Sequence, residues 1–187
     1  MQSSLYANGI QREGRNTGFM RQARQYIGIL AAAAAYYSVH EGAHLLCAVL
    51  FGAFRQIRFM GLGMQIDVYA ERMTDGQMAL FCIAGATATV FGGIVLAALT
   101  GRISRKKSKL FRAVMYYITI ALLLLDPLYL SILCGFFGGG DMNGISLLCP
   151  EWIARSVFAV LLIINGWIFW KRVLPVYRES FSNEPEI

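Results

Sequence analysis

The chain has 187 residues, of which 57% are hydrophobic and 15% are charged, and its mean hydropathy is +0.52. So few polar residues cannot coat one water-soluble globule, which excludes an ordinary soluble domain. The net charge is +6, but the basic residues form short clusters without interleaved aromatic side chains, and this excludes nucleic acid as a partner. The four cysteines show no CxxC spacing, which excludes a zinc ribbon and a disulfide-rich domain.

Four long apolar runs predict membrane-spanning helices, at residues 26–54, 78–99, 111–134 and 152–170. About 20 helical residues cross a hydrocarbon core of about 30 Å, and each run approaches or exceeds that length. The sequence therefore predicts an all-α integral membrane protein with about four transmembrane helices. Residues 25–175 form its single multi-pass domain in the lipid bilayer, between polar tails at residues 1–24 and 176–187.

The connection after the first run differs from an ordinary loop. Residues 55–60 and 64–69 are β-prone and flank a Gly-Leu-Gly turn, so we expect a short β-hairpin. Two roles remain open for it: a pair of strands lying against or dipping into the membrane, or an exposed turn without a role.

The distribution of basic residues predicts the orientation. The N-terminal tail, the second connection and the C-terminal end lie on one side of a four-span chain and hold 13 of the 17 lysines and arginines. By the positive-inside rule, both termini are cytoplasmic in a multi-pass protein of the cell membrane.

An HExxH motif stands near the middle of the first run. His40 and His44 share one face of a helix, so their imidazoles can converge on one zinc ion. Glu41 lies beside them, where a carboxylate can take a proton from water in the fourth zinc position. Ionisable groups at bilayer depth are costly unless they are paired or bound to metal, so they indicate a functional site.

A catalytic zinc ion usually has three protein ligands, and the chain has no third histidine. The candidates are Asp126 and Asp141, with Cys47 after them. Asp126 precedes Pro127 inside the third run, where the proline would break the helix and free backbone carbonyls. Asp141 follows three glycines in a segment between the third and fourth spans that can fold back into the membrane as a re-entrant loop, and this favours Asp141.

These residues resemble the site-2 protease family of intramembrane zinc metalloproteases. The resemblance rests on the HExxH motif in an apolar helix, the Val-Leu-Phe-Gly run at 49–52, the basic strand 55–59, the alanine-glycine pair within 78–87 and the Gly-Gly-Asp141 element. It implies Zn²⁺ held by His40, His44 and Asp141, with Glu41 as general base. It also implies cleavage of peptide bonds in or near the membrane-spanning segments of substrate proteins, with the substrate held as an extended strand. The family places the hairpin on the cytosolic side, opposite to the charge count.

Two other classes of protein fit parts of the pattern. A zinc-binding membrane regulator or scaffold that no longer cleaves would keep the same fold. A small transporter or metal permease would also place ionisable groups at mid-membrane, but it should show repeated half-sequences, and the chain shows none. Nothing in the sequence indicates an oligomeric state.

Overall fold

The protein, seen in a computed structural model, is described over residues 2–60, 63–138 and 140–182, with the backbone alone for residues 2–17 and 60. It is mostly helical, with one hairpin. The elements are α1 (Gln2–Leu50), β1 (Phe54–Met60), β2 (Gly63–Val68), α2 (Asp75–Ile103), α3 (Lys109–Phe137), α4 (Asp141–Ile145) and α5 (Glu151–Ser182). A 3-10 turn at Ala70–Arg72 links β2 to α2, and π-helical turns interrupt α3 at Tyr129–Leu133 and α5 at Phe169–Val173.

Among the described residues, α2, α3 and α5 are long and apolar enough to cross a membrane. The predicted first span lies in α1, where the polar side chains of the HExxH motif interrupt the apolar run. The count of four spans is therefore not confirmed, and a span in α1 stays a prediction. Helix α1 begins at Gln2 and α5 ends at Ser182, so both helices extend into the segments predicted as polar tails; residues 183–187 lie outside the described part.

The predicted hairpin is confirmed. Strands β1 and β2 pair antiparallel with Ile57 opposite Ile66, and the turn residues 61 and 62 lie outside the described part. An ion pair of 2.7 Å between Arg58 and Asp67 ties the two strands on their exposed side. Ile66 is the buried residue of β2, and this strand packs against α1.

Polar caps fix where α2 and α3 begin. At the start of α2, Thr74 and Gln77 each accept a hydrogen bond from the other's backbone N–H, which forms a capping box. At the start of α3, the Ser108 hydroxyl accepts a hydrogen bond from the Phe111 N–H. The caps place both helix starts in polar sequence, next to long apolar runs.

The sequence predicted that Pro127 would break the third helix. In the structure, α3 continues through Pro127. A proline has no N–H to donate to the carbonyl four residues earlier, which here is that of Leu123. The side-chain amide of Asn165, from α5, donates to that carbonyl at 2.8 Å. The guanidinium of Arg155, also from α5, donates to two carbonyls of the π-helical turn, at 3.2 and 3.3 Å. Side chains of α5 thus satisfy the backbone groups that the irregular part of α3 leaves free.

Glycines turn the chain back after α3. Gly138 and Gly140 have φ angles of +99° and +41°, which lie in the region that glycine adopts most readily. The Tyr129 hydroxyl donates to the Gly138 carbonyl at 2.8 Å. Beyond this turn α4 packs on α2, where a Cβ at Gly144 would lie only 2.2 Å from the Cys82 sulfur. The fold-back carries Asp141 toward α1 and α2, and its depth in a membrane stays a prediction.

Candidate metal centre

The two histidines of the HExxH motif present their Nε2 atoms to each other, 3.1 Å apart. The Nδ1 atom of His44 lies 2.7 Å from the Phe81 carbonyl oxygen, and that of His40 lies 3.1 Å from a carboxylate oxygen of Asp126. Because both partners are acceptors, both Nδ1 atoms carry the proton that they donate. With Nδ1 as the donor, each ring has its Nε2 atom left for a metal ion, and the two Nε2 atoms face the same point.

Asp141, the first residue of α4, completes this cluster. One of its carboxylate oxygens lies 3.3 Å from His40 Nε2 and 3.4 Å from His44 Nε2. Among the described residues, these three side chains form a group that could hold a metal ion. Two imidazole nitrogens and a carboxylate oxygen that face one point would all serve as ligand atoms for a cation bound among them.

The spacing of the three atoms suits a small divalent ion. Ligand atoms about 2.0–2.1 Å from a tetrahedral zinc ion lie about 3.3–3.4 Å from one another, and the observed separations are 3.1, 3.3 and 3.4 Å. Two imidazole nitrogens and one carboxylate oxygen are also a known ligand set of catalytic zinc. Other divalent transition metals accept the same ligands, so zinc itself stays a prediction.

The two other candidate ligands are placed elsewhere. Asp126 lies beside Nδ1 of His40, on the opposite side of the imidazole ring from Nε2, and also accepts hydrogen bonds from the hydroxyls of Tyr36 and Thr89. Cys47 is a free, half-buried cysteine outside the ligand group. Among the described residues, Asp141 is therefore the carboxylate that faces both Nε2 atoms.

Glu41 is buried between α1 and the hairpin. One oxygen of its carboxylate accepts a hydrogen bond of 3.1 Å from the backbone N–H of Ile66, in β2. Its charge is near enough to interact with His40, His44 and Asp141. The hairpin therefore orients the acidic residue of the motif next to the ligand cluster, which gives the hairpin a structural role.

A stripe of α2 forms the other wall of the site. Phe81 supplies the carbonyl for His44, Thr89 supplies a hydroxyl to Asp126, and between them a Cβ at Gly85 would lie 2.5 Å from His44 Nε2. The sequence indicated only an alanine-glycine pair here. Consecutive members of this set are four residues apart, so all three share one face of the helix. A glycine and a threonine at this spacing, Gly85 and Thr89, were the sequence signal that could have predicted this wall of the site.

The chain was also compared with known proteins, and no protein-family model, curated protein or solved structure matches it. The chemistry open to the site follows from the three ligand atoms and from the carboxylate of Glu41 beside them.

Proposed function

We propose that this protein is an intramembrane zinc metalloprotease, similar to the site-2 protease family, with cytoplasmic termini in the cell membrane. It hydrolyses peptide bonds in or near the membrane-spanning segments of other proteins. The observation that carries this proposal is the convergence of His40, His44 and Asp141 on one point beside Glu41. The site lies in a bundle whose helices α2, α3 and α5 are apolar enough to cross a membrane.

Metal binding and proton transfer are assigned to different residues of the site. When bound, zinc lowers the pKa of a coordinated water toward 7 and polarises the carbonyl of the bond to be cleaved. His40, His44 and Asp141 would hold the ion with three ligand atoms, and a catalytic zinc site needs three protein ligands so that water can also bind. Glu41 takes the proton of the attacking water and passes it to the departing amine, as a general base and then a general acid.

The contact between Glu41 and Ile66 supports this role for the glutamate. A general base works best when its carboxylate is held in one orientation. The N–H of Ile66 holds one carboxylate oxygen, and among the described residues no other hydrogen-bond donor reaches Glu41. The second oxygen is thus the one that receives the proton.

The same contact indicates where a substrate binds. The backbone N–H of Ile66 donates to Glu41 and points away from β1, so this edge of β2 faces Glu41. An extended peptide lying along the hairpin would pass close to Glu41 with its carbonyls exposed, while the N–H of Ile66 stays engaged by Glu41. A helix hides its carbonyls in its own hydrogen bonds, so the substrate must unwind where it is cut.

The test uses the full chain, purified in detergent. Two probes are offered: fluorescently labelled casein, which has no fixed structure, and a reporter with a single apolar helix that an Asn-Pro pair interrupts at mid-span. We expect about one zinc ion per chain and cleavage that a chelator stops and zinc restores. Glu41→Gln should keep the zinc and lose the cleavage, because glutamine cannot accept the proton. Cleavage that is equal in Glu41→Gln and wild type would contradict the proposal.

A second candidate is a zinc-binding membrane regulator with the same fold that does not cleave. The ligand group of His40, His44 and Asp141 also suits this candidate, because holding a metal ion requires no proton acceptor. This candidate predicts the same zinc content as the protease, with no cleavage of either probe by the wild type or by any variant of Glu41.

A further inference from the structure

A buried carboxylate behind the metal centre has no part in the hydrolysis proposed above. Asp126 is 1% exposed, in the middle of α3, and it accepts hydrogen bonds from three side chains on two other helices. The hydroxyl of Tyr36 and the ring Nδ1–H of His40 come from α1. The third donor is the hydroxyl of Thr89, from α2.

All three contacts bring a polar group with a hydrogen to donate against this side chain. A carboxylate that only accepts hydrogen bonds is stabilised as the anion, whereas a carboxylic acid would have to donate its own proton. No arginine or lysine contacts Asp126 among the described residues, and His40 is the basic side chain that does. A buried charge without compensation is strongly destabilising. The group through which a positive charge can reach Asp126 is the imidazole of His40.

We infer that Asp126 is a positioning residue, which fixes His40 in the orientation and tautomer that ligate metal. This inference rests on the proposed metal centre. A carboxylate that accepts the Nδ1–H bond leaves the lone pair on Nε2, directed at Asp141 and His44, and makes that nitrogen a stronger donor to the metal.

The two histidines differ in a way that makes the inference testable. His44 donates its Nδ1–H to the carbonyl of Phe81, which is neutral, whereas His40 donates to a carboxylate. Loss of Asp126 should therefore change the ring of His40 and leave the ring of His44 as it was. A general structural role for Asp126 would disturb both rings alike.

The experiment measures zinc affinity by competition with a chelator, in the full chain in detergent. Asp126→Ala should lower the affinity about 10–100-fold, the usual effect of losing a partner behind a ligand. Thr89→Val keeps the carboxylate but removes one donor, and it should give a smaller loss in the same direction. Thr100→Val is the matched control, because Thr100 is a buried threonine of the same helix that bonds only to its own backbone, and it should bind zinc like wild type.

A second measurement does not depend on proteolytic activity. The chain contains two histidines, so selective ¹⁵N-histidine labelling gives few ring signals, and His40→Gln assigns them. In zinc-loaded protein, Asp126→Ala and Thr89→Val should move the Nδ1–H signal of His40 upfield and leave that of His44 in place. Unchanged affinity and an unchanged His40 signal in both variants would overturn this inference alone, whereas failure of the wild type to bind zinc would overturn the proposed function and the inference with it.

Discussion

Gly85→Ala adds one methyl group at the point where α2 faces the ligand cluster. The new Cβ would lie 2.5 Å from His44 Nε2 and 2.6 and 2.8 Å from two atoms of the His40 ring. Nonbonded carbon and nitrogen atoms are comfortable at about 3.5–4.0 Å, so both rings must retreat by about 1 Å.

The rings have little freedom to retreat. Each is held at its far side by the hydrogen bond from Nδ1, to Asp126 for His40 and to the Phe81 carbonyl for His44. A metal ligand must lie within about 0.2 Å of its ideal distance, so a shift of 1 Å removes it from the coordination shell. Overpacking of this kind costs about 1–3 kcal/mol. If release of the ion relieves the strain, this cost corresponds to a loss of zinc affinity of about 5–150-fold.

The assay is zinc affinity by chelator competition, with circular dichroism to show that the helices are retained. Gly92→Ala is the control, because its Cβ would meet only one atom, a terminal carbon of Leu122 at 3.4 Å. We expect Gly92→Ala to bind zinc like wild type and Gly85→Ala to lose most of its affinity. Tight zinc binding by a folded Gly85→Ala protein would refute the described geometry of the site.

Four further predictions follow from the site and the fold. Glu41→Gln should retain zinc while cleavage falls at least 100-fold, and an equal loss of zinc would make Glu41 a ligand instead. Asp141→Ala should lose zinc and Cys47→Ala should keep it, as metal analysis of the purified variants would show. Asn165→Leu should lower the free energy of unfolding by about 1 kcal/mol, because a backbone carbonyl of α3 loses its donor. An unchanged melting curve would contradict this. A cysteine placed at Ser108 should react with an impermeant thiol reagent only after the cytoplasmic face is exposed, and labelling of intact cells would reverse the orientation.

Local sequence patterns predicted the parts of this fold that depend on neighbouring residues. The hairpin was predicted from two β-prone runs around a glycine-rich turn, and its strands are found within a residue or two of the expected positions. The pairing of His40 with His44 follows from the spacing of the motif on a helix, which brings residues four apart onto one face.

Contacts between distant parts of the chain could not be predicted in this way. The bond between His40 and Asp126 joins residues 86 positions apart, and it depends on how α1 and α3 pack. The sequence marked Asp126 as a possible ligand because it is acidic and at a suitable depth, but only the packing shows on which side of the imidazole it lies. The hydrogen bond from Ile66 to Glu41 could not be predicted from a sequence pattern either. Its donor is a backbone N–H, and the apolar side chain of Ile66 gives no sign of it.

Glycine explains how so many polar groups meet inside an apolar bundle. In lipid, helices gain little from burying apolar surface against one another, so close packing and polar contacts must hold them together. Gly28, Gly85, Gly93 and Gly144 lie where a Cβ would come within 3 Å of a neighbouring element. At Gly85 the space admits the two imidazoles of α1. At Gly144 it lets α4, which carries the third ligand, pack closely on Cys82 of α2. Helices α1, α2 and α3 and the short α4 each contribute a polar group to the centre or its support, so an ion bound there would hold these elements together.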